Sequence, residues 1–375
     1  MKGREQMKKI NSKNRYLILL ILPFSILLTF AASHSPFITE TIYSSGFYKI
    51  TSQILSNITG IMPFSLGEFL LIFTVVYFIF WLFKTLINIV RNGSKRILII
   101  KNAFLKIFTV ISIIYFCFII MWGLNYHRLT LSEIINLKTE DNSIEDLIAV
   151  CENLVEKNNS LRKLIQEDNN GVMYLPNGHR DVFKRADLGY YEASKLYPIL
   201  KGNYGRPKGI VFSEIMSHLG ISGIYSPFTL EANINVSIPH VLIPFTTCHE
   251  IAHQYGFARE DEANFIAYVT CNLHPDKDFQ YSGNLLAMTY SMNSLYEYDT
   301  DKYREIYNML DFSVKRDLAD ISAYWKKYEG PIERASSKVN DTYLKANQQE
   351  DGIKSYGRMV DLIIAEYKQK LPVNE

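Results

Sequence analysis

Long apolar stretches with no charge at their centres constrain this chain more than anything else in it. The hydrocarbon core of a bilayer is crossed by a helix of about 20 apolar residues. Three runs approach that length: Leu17 to Ala32, Phe69 to Phe83 continuing through Ile87 to Val90, and Ile107 to Leu124. The second and third are read as membrane spans. The first fits two readings, a span or a signal peptide, because a basic segment (Lys2, Arg4, Lys8, Lys9, Lys13, Arg15) precedes it and the small residues Ala31, Ala32 and Ser33 follow it. Three transmembrane helices are therefore expected, at about 17–33, 66–90 and 105–124, making residues 1–124 a membrane domain.

Basic residues near the ends of spans set orientation, since short loops rich in Lys and Arg stay in the cytoplasm. The N-terminal tail is basic, and the second connection carries Lys84, Arg91, Lys95, Arg96, Lys101 and Lys106 with no acid among them. The first connection, Ser33 to Leu66, has Lys49 as its sole Lys or Arg. The expectation is a multi-pass protein of the cell membrane, with its N-terminus cytoplasmic and everything beyond Leu124 extracytoplasmic. A signal peptide would insert with the same polarity.

Residues 125–375 are long enough for one large domain with a substantial core. Helical periodicity dominates them. Ser143 ahead of Ile144, Leu147, Ile148, Cys151 and Leu154 reads as a capped amphipathic helix, and helices are also expected over Asp181–Leu200, Val314–Tyr328 and Met359–Tyr367. Glu231 to Ile238 alternates polar with apolar residues, which is a strand signal. The fold class is thus mainly α with a small β-sheet. A formal net charge of +2, from 40 basic and 38 acidic residues, removes any general electrostatic case for nucleic acid as a partner. Cys117 lies in the third span, and the remaining Cys151, Cys248 and Cys271 have no metal-finger spacing. They read as small buried residues, with a Cys248–Cys271 disulfide left open.

The chemistry is concentrated in Thr246 to Cys271, TTCHEIAHQYGFAREDEANFIAYVTC. Thr246 or Thr247 can start a helix and Gly256 can end it. Residues four apart share a helix face, so the imidazoles of His249 and His253 converge on one Zn²⁺ at about 2.0–2.1 Å. Glu250, beside them, is the expected general base for a metal-activated water. A catalytic zinc needs a third protein ligand, and Glu260, Asp261 and Glu262 follow the turn. In a second helix Glu262 phases with Ile266, Val269 and Leu273, Glu260 with Asn264, and Asp261 with Tyr268 and Asn272; Glu262 is the expected ligand. The bland alternative makes all three acids first-turn charges favoured by the helix dipole. His240, His274, Tyr343 and Tyr356 are candidates for stabilising an oxyanion.

The HEIAH core followed by a Glu in the EANFIAY segment resembles zincin metallopeptidases with a Glu ligand, the gluzincins. Over nearly the whole chain, the N-terminal spans, PFTLEANINV, HEIAHQYGFAREDEANFIAY and NDTYLKANQQEDGIKSYGRMVDLI resemble a bacterial membrane family, domain of unknown function 3810. That resemblance implies a zincin-like fold for residues 125–375 and no established substrate. The step from His253 to Glu262 is shorter than in the larger gluzincins, which puts transfer of their specificity pockets in doubt.

The expected function is zinc-dependent hydrolysis of peptide bonds in a peptide or protein substrate at the cell envelope, with the lipid bilayer as the other partner. The strand Glu231–Ile238 reads either as a half-buried strand or as a sheet edge to which an extended substrate adds. Two alternatives stand beside it: a cell-wall peptide amidase using the same site, and a non-catalytic zinc-containing binding or signalling module. The motif's charged flanks, far beyond the last span, argue against cleavage inside the bilayer.

Overall fold

A computed structural model describes residues 20–139 and 142–370, apart from the side chain of Tyr356. The basic N-terminal tail and the start of the first apolar run lie outside the described residues. The chain is mainly helical with one three-stranded sheet, in agreement with the expected fold class. It divides into two compact units, and the division is not a single cut. The first takes residues up to Tyr48, Leu66–Arg128 and Pro227–Thr229; the second takes Lys49–Ser65, Leu129–Ser226 and everything from Leu230 onward.

The first unit holds α1 (Ile21–Ser33), a π-helical stretch (Thr39–Tyr48), α3 (Leu66–Arg91) and α4 (Arg96–Met121). Two helices, Leu66–Arg91 and Gly93–Met121, are long and apolar enough to cross a membrane. Among the described residues the first apolar run contributes the 13 residues of α1, which reach span length when joined to the following run Pro36–Gly60 across a bend of 102°. None of the residues of α3 is buried, so its apolar side chains face outward as they would toward lipid. One charge pair is sealed inside this unit: Arg128 Nε and Nη2 donate to the two Glu40 oxygens at 2.7 and 2.8 Å. The fork satisfies both carboxylate oxygens, which keeps burial of the pair from leaving a lone charge.

The second unit opens with α2 (Lys49–Gly60), from the connection between the first two apolar runs, and resumes with a single-turn helix, α5 (Leu131–Ile135). α6 (Ile144–Arg162) begins at a capping box in which Ser143 and Asp146 satisfy each other's backbone. α7 (Gly178–Leu196) stops two residues short of Pro198, which cannot continue a helix. Then come β1 (Lys208–Gly209), α8 (Ser213–His218), β2 (Gly223–Ser226), β3 (Glu231–Ile234), α9 (Ile243–Gln254) and α10 (Glu260–Leu273). The strands are ordered β1-β3-β2, parallel across the first pair and antiparallel across the second. The anticipated strand is thus real but shorter, and it is the central one. All four of its residues are buried, and both its sides are occupied, so it cannot be the sheet edge considered for a substrate.

Around α9 and α10 pack α7 and α11 (Lys277–Tyr298), followed by α12 (Thr300–Asn308), α13 (Phe312–Tyr328), α14 (Pro331–Ala346) and α15 (Met359–Lys370). One hydrophobic core joins these helices, with Cys248, Phe257, Phe265, Phe279 and Leu285 fully excluded from solvent. All four cysteines are free thiols, and Cys151, Cys248 and Cys271 are the small buried residues their context suggested.

Candidate metal centre

The motif helix α9 begins at Ile243, three residues before the expected threonine cap, because Pro244 sits in its first turn, where its missing N–H is no loss. It ends as anticipated. Gly256 adopts φ +86°, and the N–H groups of Gly256 and Phe257 return to the carbonyls of His253 and Ala252 at 2.9 and 3.2 Å. That turn brings the Phe257 carbonyl back over the helix end, where it accepts from His253 Nδ1 at 2.7 Å. A carbonyl can only accept, so Nδ1 carries the hydrogen and Nε2 is aimed at the neighbouring imidazole.

His253 Nε2 stands 3.2 Å from His249 Nε2, and Glu260 Oε2 lies 3.2 Å from the first imidazole's neighbour His249 and 3.6 Å from His253. Atoms that share one tetrahedral Zn²⁺ at about 2.0–2.2 Å lie roughly 3.3–3.6 Å apart, so the three donors fit the corners of one ion's coordination shell. Among the described residues these three form a group of His and acidic ligands with atoms close enough to hold a metal ion. All are nearly buried, with 8%, 6% and 8% exposure for His249, His253 and Glu260.

Glu262, the expected third ligand, is elsewhere. Its Oε1 accepts from the Leu131 N–H at 2.8 Å and from Arg259 Nη1 at 3.0 Å, which ties α10 to the start of α5. The reason lies in α10 itself. It is buried around nearly its whole girth, so a single inward stripe, on which the phasing argument for Glu262 depended, does not exist. Glu260 shares its face with Asn264, whose side chain hydrogen-bonds Tyr290 from α11. Asp261 takes no part in the cluster; its nearest basic partner is Arg358 at 4.0 Å.

Charge follows geometry. Burial alone would push the His253 imidazole down, but the adjoining Glu260 carboxylate outweighs it and holds the group up at about 9. Burial would raise Glu260, yet His253 and His249 hold it down at about 2. Glu260 is therefore anionic and paired with a protonated His253, whose Nε2 proton a divalent cation would have to displace before that imidazole could serve as a donor. Glu250 behaves differently: burial lifts it to about 7, partly offset by the two histidines. Its Oε2 is buried without a hydrogen-bond donor. Its other oxygen lies against the backbone of β2, where a Cβ added to Gly223 would stand 2.4 Å from Oε1.

His240 and His274 are engaged elsewhere. His240 accepts from the Leu175 N–H at 3.2 Å and packs against Tyr174. His274 stacks on Phe279 at 3.8 Å and contacts the Arg185 carbonyl at 2.9 Å, a structural role. Tyr343 is 38% exposed on α14, and the Tyr356 side chain lies outside the described residues. What the sequence reading passed over is Gly223 behind Glu250, Tyr225 with its ring 6.0 Å from His253, and the Asn264–Tyr290 pair beside Glu260. The shared phase of Glu260 and Asn264 was the one available signal for the last.

A family profile described as "Protein of unknown function (DUF3810)" matches residues 43–364. The chain belongs to this family. The matched range takes in α2 as well as the whole cluster, so it reaches all three segments of the discontinuous second unit. No curated protein and no solved structure matches the chain.

Proposed function

We propose that this chain is a membrane-anchored, zinc-dependent hydrolase of peptide bonds, with a gluzincin-like site on the extracytoplasmic side. The observation that carries the reading is the meeting of His249, His253 and Glu260 within 3.2–3.6 Å, with a buried carboxylate, Glu250, whose Oε2 has no hydrogen-bond donor, on the same helix turn as His249. A structural zinc site is commonly closed by four protein ligands and has no use for a base, whereas three ligands plus a base is the catalytic pattern.

In this reading His249, His253 and Glu260 hold the ion. When bound, Zn²⁺ supplies Lewis-acid polarisation of a carbonyl and acidifies water toward a pKa of about 7. Glu250 does the proton work. A carboxyl lifted toward neutrality by burial takes up a proton readily from water and gives it to a leaving amine, which is the matching that general acid–base catalysis needs. Gly223 leaves room for that carboxylate, and the Phe257 carbonyl fixes the His253 ring. The extracytoplasmic placement rests on the basic tail and the basic second connection. It is supported by α2: the first connection and the C-terminal region fold into one unit, as they must if both lie on one side of the bilayer.

The test is Glu250→Gln in the full-length protein, with hydrolysis of a mixture of unstructured peptides read as new N-termini by mass spectrometry. Zinc content and folding are expected to stay, while hydrolysis falls by about 10²–10⁴-fold, the usual worth of a positioned base. Unchanged hydrolysis would remove Glu250, and with it this mechanism, from consideration.

A further inference from the structure

The helix α2 is inside-out for a water-soluble protein. Its polar face is turned inward: Ser52 and Ser56 are fully buried, Ser52 Oγ donates to the Gln254 carbonyl at 2.8 Å, and Ser56 Oγ accepts from the Gly205 N–H at 3.0 Å. Beside them Gln53 Oε1 accepts from the Asn203 N–H at 2.9 Å, and Asn57 Nδ2 donates to the Asn203 carbonyl at 2.9 Å. The approach is close enough that a Cβ on Gly205 would collide with the Ser56 carbonyl at 1.8 Å. The opposite face is a stripe of isoleucines. Ile50, Ile54 and Ile58, spaced four apart, are 60%, 56% and 56% exposed, and Ile61 just beyond the helix is 78% exposed. A surface helix in water buries its apolar stripe and exposes its polar one; the reverse pattern suits an apolar solvent.

The chain itself says which solvent. α2 ends at Gly60 and the span helix α3 begins at Leu66. Five intervening residues reach at most about 20 Å, so the helix end is tethered within that distance of the start of the span. The linking turn is apolar too, with Met62 and Phe64 42% and 37% exposed.

We infer that α2 is an interfacial helix whose isoleucine face lies in the outer leaflet of the bilayer while its serine face grips the second unit. The grip is next to the metal helix: Gln254, whose carbonyl Ser52 holds, directly follows His253. Helices in contact lie about 8–10 Å apart, so the cluster is held within about two helix diameters of lipid. Taken with the proposed hydrolase activity, on which this last step rests, the substrate class narrows to polypeptides at the membrane surface, such as the juxtamembrane stretches of anchored proteins.

The placement of α2 is tested without reference to catalysis. In a Cys117→Ser background, whose other cysteines are buried, spin labels are attached at Ile54→Cys and Ile58→Cys, with Tyr298→Cys (76% exposed) as the aqueous control, in the full chain reconstituted into lipid nanodiscs. Power-saturation measurements with oxygen and a water-soluble nickel complex should place both labels roughly 5–10 Å into the headgroup and acyl boundary, with the control in water. Nickel accessibility at positions 54 and 58 equal to that at 298 overturns the inference. So does shielding of both labels from oxygen and nickel alike, which would mean that a second copy or another protein covers the stripe. Retained depth with no hydrolysis in any assay would leave α2 in the leaflet and refute only the proposed activity.

Discussion

At the scale of single residues, the arrangement depends on a few contacts that have no slack. Gly223 is the clearest. It packs against Glu250 with no room for a methyl group, since an added Cβ would sit 2.4 Å from Oε1 and 2.8 Å from both Glu250 Cγ and Thr246 Cγ2. Gly223→Ala should therefore displace the proposed base. Overpacking of this kind costs about 1–3 kcal/mol in stability, and a misplaced catalytic group can cost about 100-fold in rate. Peptide hydrolysis falling far more than the melting temperature is the expected outcome; an unchanged rate would show that the Glu250 position is not limiting. The residue scale also shows which placements the sequence makes legible. His249, Glu250 and His253 were legible because spacing along one helix fixes which side chains share a face. That Glu260 rather than Glu262 meets the two imidazoles was not legible, because it depends on the direction from which α10 meets α9, which is set by packing rather than by local spacing.

Among elements, the sheet and α2 are bound through one buried lysine. Lys208, at the head of β1, reaches the Thr59 carbonyl at 2.6 Å and the Phe64 carbonyl at 2.9 Å, and it pairs with Glu231 of β3. Both members of the ion pair are almost wholly buried, at 5% and 2% exposure. Replacing Lys208 by Met keeps the stem and deletes the charge, which removes the cationic partner of Glu231. Breaking one side of such a buried pair costs about 3–5 kcal/mol, so thermal denaturation of the purified protein should register a loss of that order. A shift within about 0.5 kcal/mol, the level of an ordinary surface substitution, would show the pair to be inconsequential. The α helices were readable in part from their punctuation, Ser143 as a cap and Gly256 as an αL terminus, whereas the helix expected over Asp181–Leu200 ends at Leu196, ahead of Pro198. The strand Glu231–Ile234 was readable as a strand but not as the central one, since strand order depends on β1 and β2, too short to leave a pattern.

For the molecule as a whole, the discontinuous second unit has the largest consequence. A boundary after Leu124 looks natural from hydropathy, yet Lys49–Ser65 folds with residues on the far side of two apolar helices. Hydropathy separates lipid-facing from water-facing sequence; it does not report which loop folds onto which domain. A chain starting at residue 125 would lack α2, leaving Lys208 and the Gln254 carbonyl without the partners that α2 and its following turn supply. Each buried polar group so abandoned costs about 1–3 kcal/mol. Such a fragment should be aggregated or molten, with poorly dispersed amide resonances, whereas supplying Lys49–Ser65 through a linker should restore a cooperative transition. A stable, monomeric 125–375 fragment would contradict the division into units.

The most direct measurement is the zinc content of the full-length protein in detergent, wild type beside His253→Ala, Glu260→Ala and Glu262→Ala. One zinc per chain is expected in the wild type. It should be lost in the first two variants and kept in the third, where the damage falls on the Leu131 and Arg259 contacts instead. Zinc retained without Glu260, or lost without Glu262 in a folded protein, would contradict the assignment of these three donors.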